Sequence, residues 1–113
     1  MSKQLIITDP KSKEKYVLEY TRKTVSLMER NGFVAEDVTK HPMTMLPALF
    51  SGAFLAHHRT LPQEAIDKIY SRMPHKDELI PRLVAMYNDP IATLMEEPVD
   101  EGDEGNLTWE AGW

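Results

Sequence analysis

The four histidines are the residues that metal binding or proton transfer would use first, but their spacing fits neither chemistry. His57 and His58 are adjacent, so on a helix their side chains would point about 100° apart and would not form a ligand pair. His41 and His75 are far from them in sequence, the chain has no cysteine, and no HExxH motif is present. We therefore predict no metal site and no cofactor. We expect His57 and His58 to lie in solvent at the end of a helix, near its dipole.

The sequence also lacks the common signatures of nucleophilic, phosphoryl-transfer and dinucleotide chemistry. It contains no GxSxG, Walker A or GxGxxG motif. The paired carboxylates at 96–97 and 100–101 lie in a polar segment, whereas general acid–base catalysis needs acids held in a water-poor pocket. We expect the protein not to be an enzyme. A concave pocket with converging polar groups would favour the alternative of a small enzyme of unrecognised type.

The strongest candidates for binding lie in the last residues of the chain. Residues 98–106 (PVDEGDEGN) have the composition of a disordered linker. Leu107, Trp109 and Trp113 follow it, and we predict them to be partner-binding residues, because aromatic anchors after a flexible linker are typical of a docking element. The spacing of the two tryptophans would place both on one helical face. Two alternatives stay open: the tip docks on the chain's own core, or the acidic run is only a solubilising tail.

Charge is distributed unevenly along the chain. The net charge is −5, but residues 96–113 hold seven acidic residues and no Lys or Arg. Residues 1–95 carry 13 basic and 11 acidic residues, a net charge of +2. A nucleic-acid surface needs a basic stripe, so we expect no nucleic-acid partner. The absence of cysteine and of a visible signal peptide favours the cytoplasm.

One stretch, residues 43–59 (MTMLPALFSGAFLAHHR), is apolar on nearly every side. A helix of that kind is a buried helix, and we predict a central core helix over 44–58 with Pro47 in its first turn. It is too short to span a membrane. Gly52 in its middle indicates the close approach of another backbone.

The alternative to a buried core helix is that the Met and Phe side chains of 43–59 are partly exposed and bind a partner helix. We expect outer helical faces and the two tryptophans to recognise the partner protein. An exposed Met43, Met45 or Phe50 would instead indicate that the central helix does so.

The remaining elements surround this helix. Residues 4–8 and 15–20, joined by a turn at Asp9–Pro10, predict a β-hairpin, which must pack on helices to be stable. A helix over 22–31 follows, with Thr21 as its N-cap and a Schellman ending at Gly32 and Phe33.

Three further helices are expected after the central one. Thr60 and Gln63 fit a capping box for a helix that ends at Pro74. Asp77 would cap the next helix, Asn88–Pro90 would break it, and residues 91–95 would form a short last helix.

The sequence thus predicts an α+β, mainly α fold. An N-terminal β-hairpin packs on about five short helices around a buried central helix, with a flexible acidic C-terminal tail. The predicted organisation is one globular domain over 1–97 and an acidic linker with an aromatic tip over 98–113.

Four segments, taken in order, resemble the small tail assembly chaperones of long-tailed (siphovirus-type) phages and prophages of Gram-positive bacteria. They are ITDPKSKEKYVLEYTRKTVSLMERNGF near the start, PMTMLPALFSGAFLAHHR, LIPRLVAMYNDP, and the ending NLTWEAGW after an acidic linker. The resemblance covers nearly the whole chain and includes no catalytic signature.

This resemblance implies a non-catalytic chaperone that binds the long, helical, aggregation-prone tape-measure protein and keeps it soluble during tail assembly. Such a protein acts in the host cell cytoplasm and is not expected in the mature virion. The tail tube protein and a second copy of the chain are further candidate partners, and no membrane is involved. The alternative is an acidic small regulatory or inhibitor protein that binds a basic host or phage protein. It would need acids spread over a folded surface, and here they lie in the tail.

Overall fold

The computed structural model describes residues 3–96 and 110–113, and its fold is α+β with mainly α-helix. Two strands come first, followed by four α-helices and one short 3₁₀ helix. The elements are β1 (Gln4–Thr8), β2 (Lys15–Glu19), α1 (Arg22–Arg30), a 3₁₀ helix (Ala35–Val38), α2 (Pro42–Gly52), α3 (Gln63–Arg72) and α4 (Lys76–Leu94). The predicted order of hairpin and then helices is confirmed. The domain boundary at 97 and the acidic linker lie outside the described residues.

The two strands form an antiparallel hairpin whose register places Ile6 opposite Val17. Alternation along β1 turns Leu5 and Ile7 towards the core and leaves Ile6 60% exposed. The hairpin is stabilised by this contact with the helices, as expected for a two-stranded sheet that is marginal by itself.

Both predicted ends of α1 are confirmed. The Thr21 hydroxyl accepts a hydrogen bond from the Thr24 N–H, and the Thr24 hydroxyl accepts one from the Thr21 N–H, which forms a reciprocal capping box. At the other end Gly32 has φ +95°, and the Phe33 N–H donates to the Met28 carbonyl at 2.9 Å. This is the Schellman arrangement, so the chain leaves α1 with Phe33 turned into the core.

The predicted central helix over 44–58 is too long at its C-terminal end. In the structure α2 ends at Gly52, and turns follow over 53–57. The Leu49 carbonyl, which would accept from Ala53 N–H in a continuing helix, instead accepts from the Tyr20 hydroxyl at 2.6 Å. A side chain from the end of β2 therefore takes the place of the next helical hydrogen bond.

The predicted break in the last helical region is wrong. Residues 76–94 form the single helix α4, which continues through Pro81 and Pro90. A proline inside a helix removes one hydrogen bond at a cost of about 3 kcal/mol. That cost is offset by burial, since Leu83, Tyr87 and Pro90 itself lie on the inner face of α4.

Two predicted N-caps are also wrong. Pro62 precedes α3 and no side chain caps that helix, so Thr60 and Gln63 do not form a capping box. Asp77 lies within the first turn of α4, where its charge favours the helix dipole, and the residue before the helix is His75 in the left-handed region with φ 52°.

The core is a single cluster to which the hairpin and all four α-helices contribute. Its aromatic rings meet edge-on or tilted: Tyr87 contacts Tyr20 at 5.5 Å and Phe33 at 5.2 Å between ring centroids, and Phe50 contacts Phe54 at 5.2 Å and Tyr70 at 4.9 Å. The buried hydrophobic residues are Leu18, Tyr20, Val25, Met28, Phe33, Leu49, Phe50, Ala53, Phe54, Ile66, Leu79, Leu83, Met86 and Tyr87.

Within residues 3–96 and 110–113, no helix is both long enough and apolar enough to cross a membrane.

Candidate partner-binding groove

A groove of about 560 Å³ runs along α2 and the segment that follows it. Its lining includes buried core side chains from three other parts of the fold, Met28, Phe33 and Ile66. Partly buried apolar residues line it as well; they are Met45, Pro47, Ala48, Leu55 and Leu61. The volume lies in the range of sites that accept a ligand or the side chains of a partner segment.

The last turn of α2 supplies part of the groove and is fixed by the hairpin. The Tyr20 hydroxyl donates to the Leu49 carbonyl, and the Glu19 N–H donates to the Ala53 carbonyl at 3.0 Å. Tyr20 is only 1% exposed, and burial raises the pKa of its hydroxyl, so the group stays a hydrogen-bond donor at neutral pH. The groove is therefore held in place by β2.

Gly52, at the C-terminal end of α2, makes the close contact that the sequence indicated, but with a side chain. A Cβ atom at this position would overlap the sulfur and terminal methyl of Met28. The prediction of an approaching backbone is therefore wrong. The flexible thioether of Met28 fills the space that glycine leaves, directly beneath the groove.

His58 fixes the segment that forms the wall opposite α2. Its Nε2 atom accepts a hydrogen bond from the Val17 N–H at 2.9 Å, which requires this nitrogen to be unprotonated and the ring proton to lie on Nδ1. The ring also contacts Tyr16 and Phe54, with centroids 5.5 and 6.1 Å away. The expectation of a solvated histidine at a helix end is therefore wrong for His58, because α2 ends six residues earlier.

His57 also contacts β2, through the side chain of Glu19. Its Nε2 lies 2.6 Å from Glu19 Oε1, and its side chain is 39% exposed. In the described part of the chain, no group of three or more His, Asp or Glu residues is placed to hold a metal ion.

Among the described residues, the groove lining contains basic and neutral polar groups but no carboxylate. Arg59 and His58 supply the basic groups, and Asn31, Thr44 and Gln63 add neutral polar groups. The formal charge of this lining is therefore positive, from Arg59. No arrangement of nucleophile and base occurs among these residues.

The surface of α2 continues beyond the groove into solvent. Met43 is 88% exposed and Met45 is partly buried, whereas Phe50 is 1% exposed. The first turn of α2 is therefore exposed, whereas its last turn is buried. The sequence predicts partner recognition on outer helical faces unless Met43, Met45 or Phe50 is exposed. Because Met43 is exposed, α2 becomes the candidate recognition surface.

Of the three predicted partner-binding residues, only Trp113 is described, and its side chain is fully exposed at 101%. Leu107 and Trp109 lie outside the described residues. The sequence analysis missed the groove residues, although a signal was present. Thr44, Ala48 and Ser51 are small or polar residues at helical spacing on α2, and they mark the side that large core side chains leave open.

Comparison with known proteins gives a family but no function. The model of the family described as a domain of unknown function (DUF5055) matches residues 1–113, which is the whole chain. Neither the curated proteins nor the solved structures contain a match to it. The protein described above, a β-hairpin on four α-helices with an apolar groove along α2, belongs to the DUF5055 family.

Proposed function

We propose that this protein is a phage tail assembly chaperone that binds the tape-measure protein and keeps it soluble during tail assembly, without catalysis. The observation that carries the proposal is the groove along α2, whose lining is mainly apolar, includes Met28 and Met45 and, in the part of the chain that the structure describes, holds no carboxylate. The order of segments that resembles tail assembly chaperones supports the same function. The place of action would be the host cell cytoplasm, with the protein absent from the mature virion.

The proposed mode of binding is helix-in-groove recognition. An amphipathic helix presents anchors at positions i, i+3 or i+4 and i+7, and a long apolar groove receives them. Met45, Ala48 and Leu55 would contact such anchors, and the exposed Met43 would extend the contact along α2. Methionine suits this role because its flexible thioether adapts to different partner side chains, which a long repetitive partner requires.

The acidic C-terminal segment would act outside the groove. Seven acidic residues between 96 and 113 give the complex a local negative charge, and charge repulsion between complexes opposes aggregation. In this proposal Trp113, with Leu107 and Trp109, adds a second contact with the partner. The groove and the tip would then contribute separately to affinity.

The groove is tested by a charge placed inside it. Ala48→Glu puts a carboxylate on the partly buried wall, so we expect at least a tenfold loss of affinity for the tape-measure protein in a pull-down or titration, because burying an unpaired charge costs several kcal/mol. The matched control is Ala85→Glu, which makes the same change on the exposed side of α4. Equal affinities for the two variants would remove the groove from the binding role.

The C-terminal contribution is tested by truncation after Met95. A truncated chain that still captures the tape-measure protein, but more weakly, fits the proposed second contact. Equal capture by the full-length and truncated chains would remove the tail from binding. No capture by either would refute the chaperone function, and binding instead to a basic protein that disappears in moderate salt would favour the regulator.

A further inference from the structure

Among the residues that the structure describes, no strand or segment pairs with one edge of the hairpin, and hydrogen bonds identify which backbone groups face that edge. The Val17 N–H donates to His58 and the Glu19 N–H donates to Ala53, so both point away from β1. In an antiparallel pair, the partners of such residues also point their N–H and C=O groups outward. The outer edge of β2 is therefore covered by the segment after α2, and the outer edge of β1 is where the sheet ends.

The residues of β1 that face this edge follow from the register. Gln4 pairs with Glu19 and Ile6 with Val17, so Gln4 and Ile6 direct their N–H and C=O groups outward, and by alternation Thr8 does the same. The neighbouring Asp9 confirms this alternation of outward- and inward-facing residues, since its N–H donates inward to the Glu14 carbonyl at 2.9 Å.

This edge carries none of the features that usually prevent pairing. The five residues of β1 include no charged residue, no proline and no glycine, and the central Ile6 is 60% exposed. Natural edge strands are normally protected by an inward-pointing charge, a proline, a bulge or a covering element. An uncharged and regular edge with a β-branched residue at its centre is a template for another strand.

We propose that β1 is a self-pairing interface, through which two copies of this chain join antiparallel with Ile6 opposite Ile6 on a two-fold axis and form a continuous four-stranded sheet. The proposal stands independently of the chaperone function. We infer that the strand pairing with this edge is β1 of a second copy, because β1 is complementary to itself in this register. Each outward-facing residue then meets an outward-facing partner, Ile6 with Ile6 and Gln4 with Thr8.

Charge and apolar contacts fit the same register. Lys3 falls opposite Asp9 of the second copy, next to the ion pair that Asp9 already makes with Arg72 at 3.1 Å, whereas parallel pairing would oppose the two lysines. On the inner face, Leu5 falls opposite Ile7 of the second copy. This inner face adjoins a cleft of about 390 Å³ between β1 and α3, with Leu5, Ile7, Ile69 and Met73 among its lining residues. Pairing would continue that apolar layer across the two-fold axis.

The centre of the pairing is also fixed by geometry. An axis at Leu5 would pair Gln4 with Ile6, and an axis at Ile7 would pair Ile6 with Thr8, so each would leave one of the three outward-facing residues without a partner in β1. An axis at Gln4 would leave Thr8 without an opposite residue in β1. Only Ile6 uses all three outward-facing residues of the strand, with up to six backbone hydrogen bonds across the interface. A five-residue strand is short compared with the area of a stable dimer interface, so we expect a weak and reversible dimer.

A cysteine at the proposed axis gives a positive test, because the natural chain contains none. Directly opposed residues in antiparallel strands have Cα atoms about 5.5 Å apart, which a disulfide can bridge. We expect Ile6→Cys to form a disulfide-linked dimer at least ten times faster than Lys11→Cys, which places the thiol on the exposed hairpin turn. Equal rates would overturn the proposal.

Proline gives the complementary test. Ile6→Pro removes an N–H that the hairpin itself does not use, and proline is tolerated on edge strands. We expect it to raise the dimer dissociation constant at least tenfold by sedimentation equilibrium, while Ile6→Thr, which keeps the N–H, retains the dimer. Circular dichroism checks folding. Should Ile6→Pro unfold, Ile6→Lys is the second variant, since it places two like charges opposite each other on the axis and must weaken the dimer. A natural chain that stays monomeric up to its solubility limit, or a dimer unaffected by both changes, would refute the interface.

Discussion

Removing one oxygen atom, by Tyr20→Phe, is expected to weaken the end of α2 on which the groove depends. The last four residues of α2 have carbonyls that a helix leaves without intrahelical partners. Three of them accept from the N–H groups of the residues three positions later, at 3.1–3.2 Å, and the fourth, that of Leu49, accepts from the Tyr20 hydroxyl at 2.6 Å. Phenylalanine keeps the ring and its packing against Tyr87 but leaves the Leu49 carbonyl without this donor.

The size of the effect follows from burial. Tyr20 is 1% exposed and Leu49 is equally buried, so water cannot replace the hydroxyl without opening the core. A buried acceptor left without its partner costs about 1–3 kcal/mol. For a chain of this length, each kcal/mol lowers the melting temperature by roughly 4 °C. We therefore expect Tyr20→Phe to lower it by roughly 4–12 °C.

The assay compares this variant with a tyrosine whose hydroxyl bond is exposed. The Tyr16 ring faces the core, but its hydroxyl makes a solvent-exposed hydrogen bond to Glu14 Oε2 at 2.9 Å. Tyr16→Phe should change the free energy of unfolding by less than about 0.5 kcal/mol. Urea unfolding and calorimetry measure both variants, and amide exchange should quicken at 53–55 in Tyr20→Phe alone. Equal stability of the two variants would show that the Tyr20 hydroxyl does not hold α2.

Three further predictions concern the same region. Burial raises the pKa of the Tyr20 hydroxyl above its ordinary value of 10.0, so the contribution of this group to stability is complete below that pH and is lost as the pH rises further. In urea unfolding above pH 10.0, the free energy of unfolding should therefore fall less steeply with pH for Tyr20→Phe than for the natural chain. The difference in slope should reach up to about 1.4 kcal/mol per pH unit. Gly52→Ala should cost about 1–3 kcal/mol by displacing Met28, and a double-mutant cycle should show a smaller cost in Met28→Ala. His58→Ala should cost about 1–3 kcal/mol by removing the acceptor of a backbone N–H in β2, whereas His41→Ala, at an exposed position without a capping bond, should stay within about 0.5 kcal/mol by the same unfolding assay.

Local signals in the sequence predicted much of the fold. The β-hairpin, the N-cap at Thr21 and the Schellman ending at Gly32 each depend on a few neighbouring residues, and each is confirmed. Such features are decided within one turn of the chain, where side-chain hydrogen bonds and backbone sterics dominate over distant packing.

The end of α2 and the continuity of α4 were predicted wrongly because distant contacts decide both. The end of α2 depends on Tyr20, which is 29 residues away from its acceptor Leu49. The continuity of α4 depends on burial of the face that includes Tyr87 and Pro90, which outweighs the local cost of a proline. The groove was missed as well, because the apolar composition of 43–59 does not show how many neighbours are available to cover it.

The incomplete burial of α2 explains why the groove exists. A helix that is apolar on every side is fully covered only if other elements pack around its whole circumference. Here α1, α3, α4 and the 3₁₀ helix contact α2, yet Met43 remains 88% exposed and Met45, Pro47 and Ala48 only partly buried. Leaving such side chains in water forgoes about 25 cal/mol for each Å² of apolar surface, with no benefit to the isolated fold. An apolar segment that covers the groove would therefore gain this free energy of burial on binding. A chaperone for an aggregation-prone helical partner requires a surface of this kind.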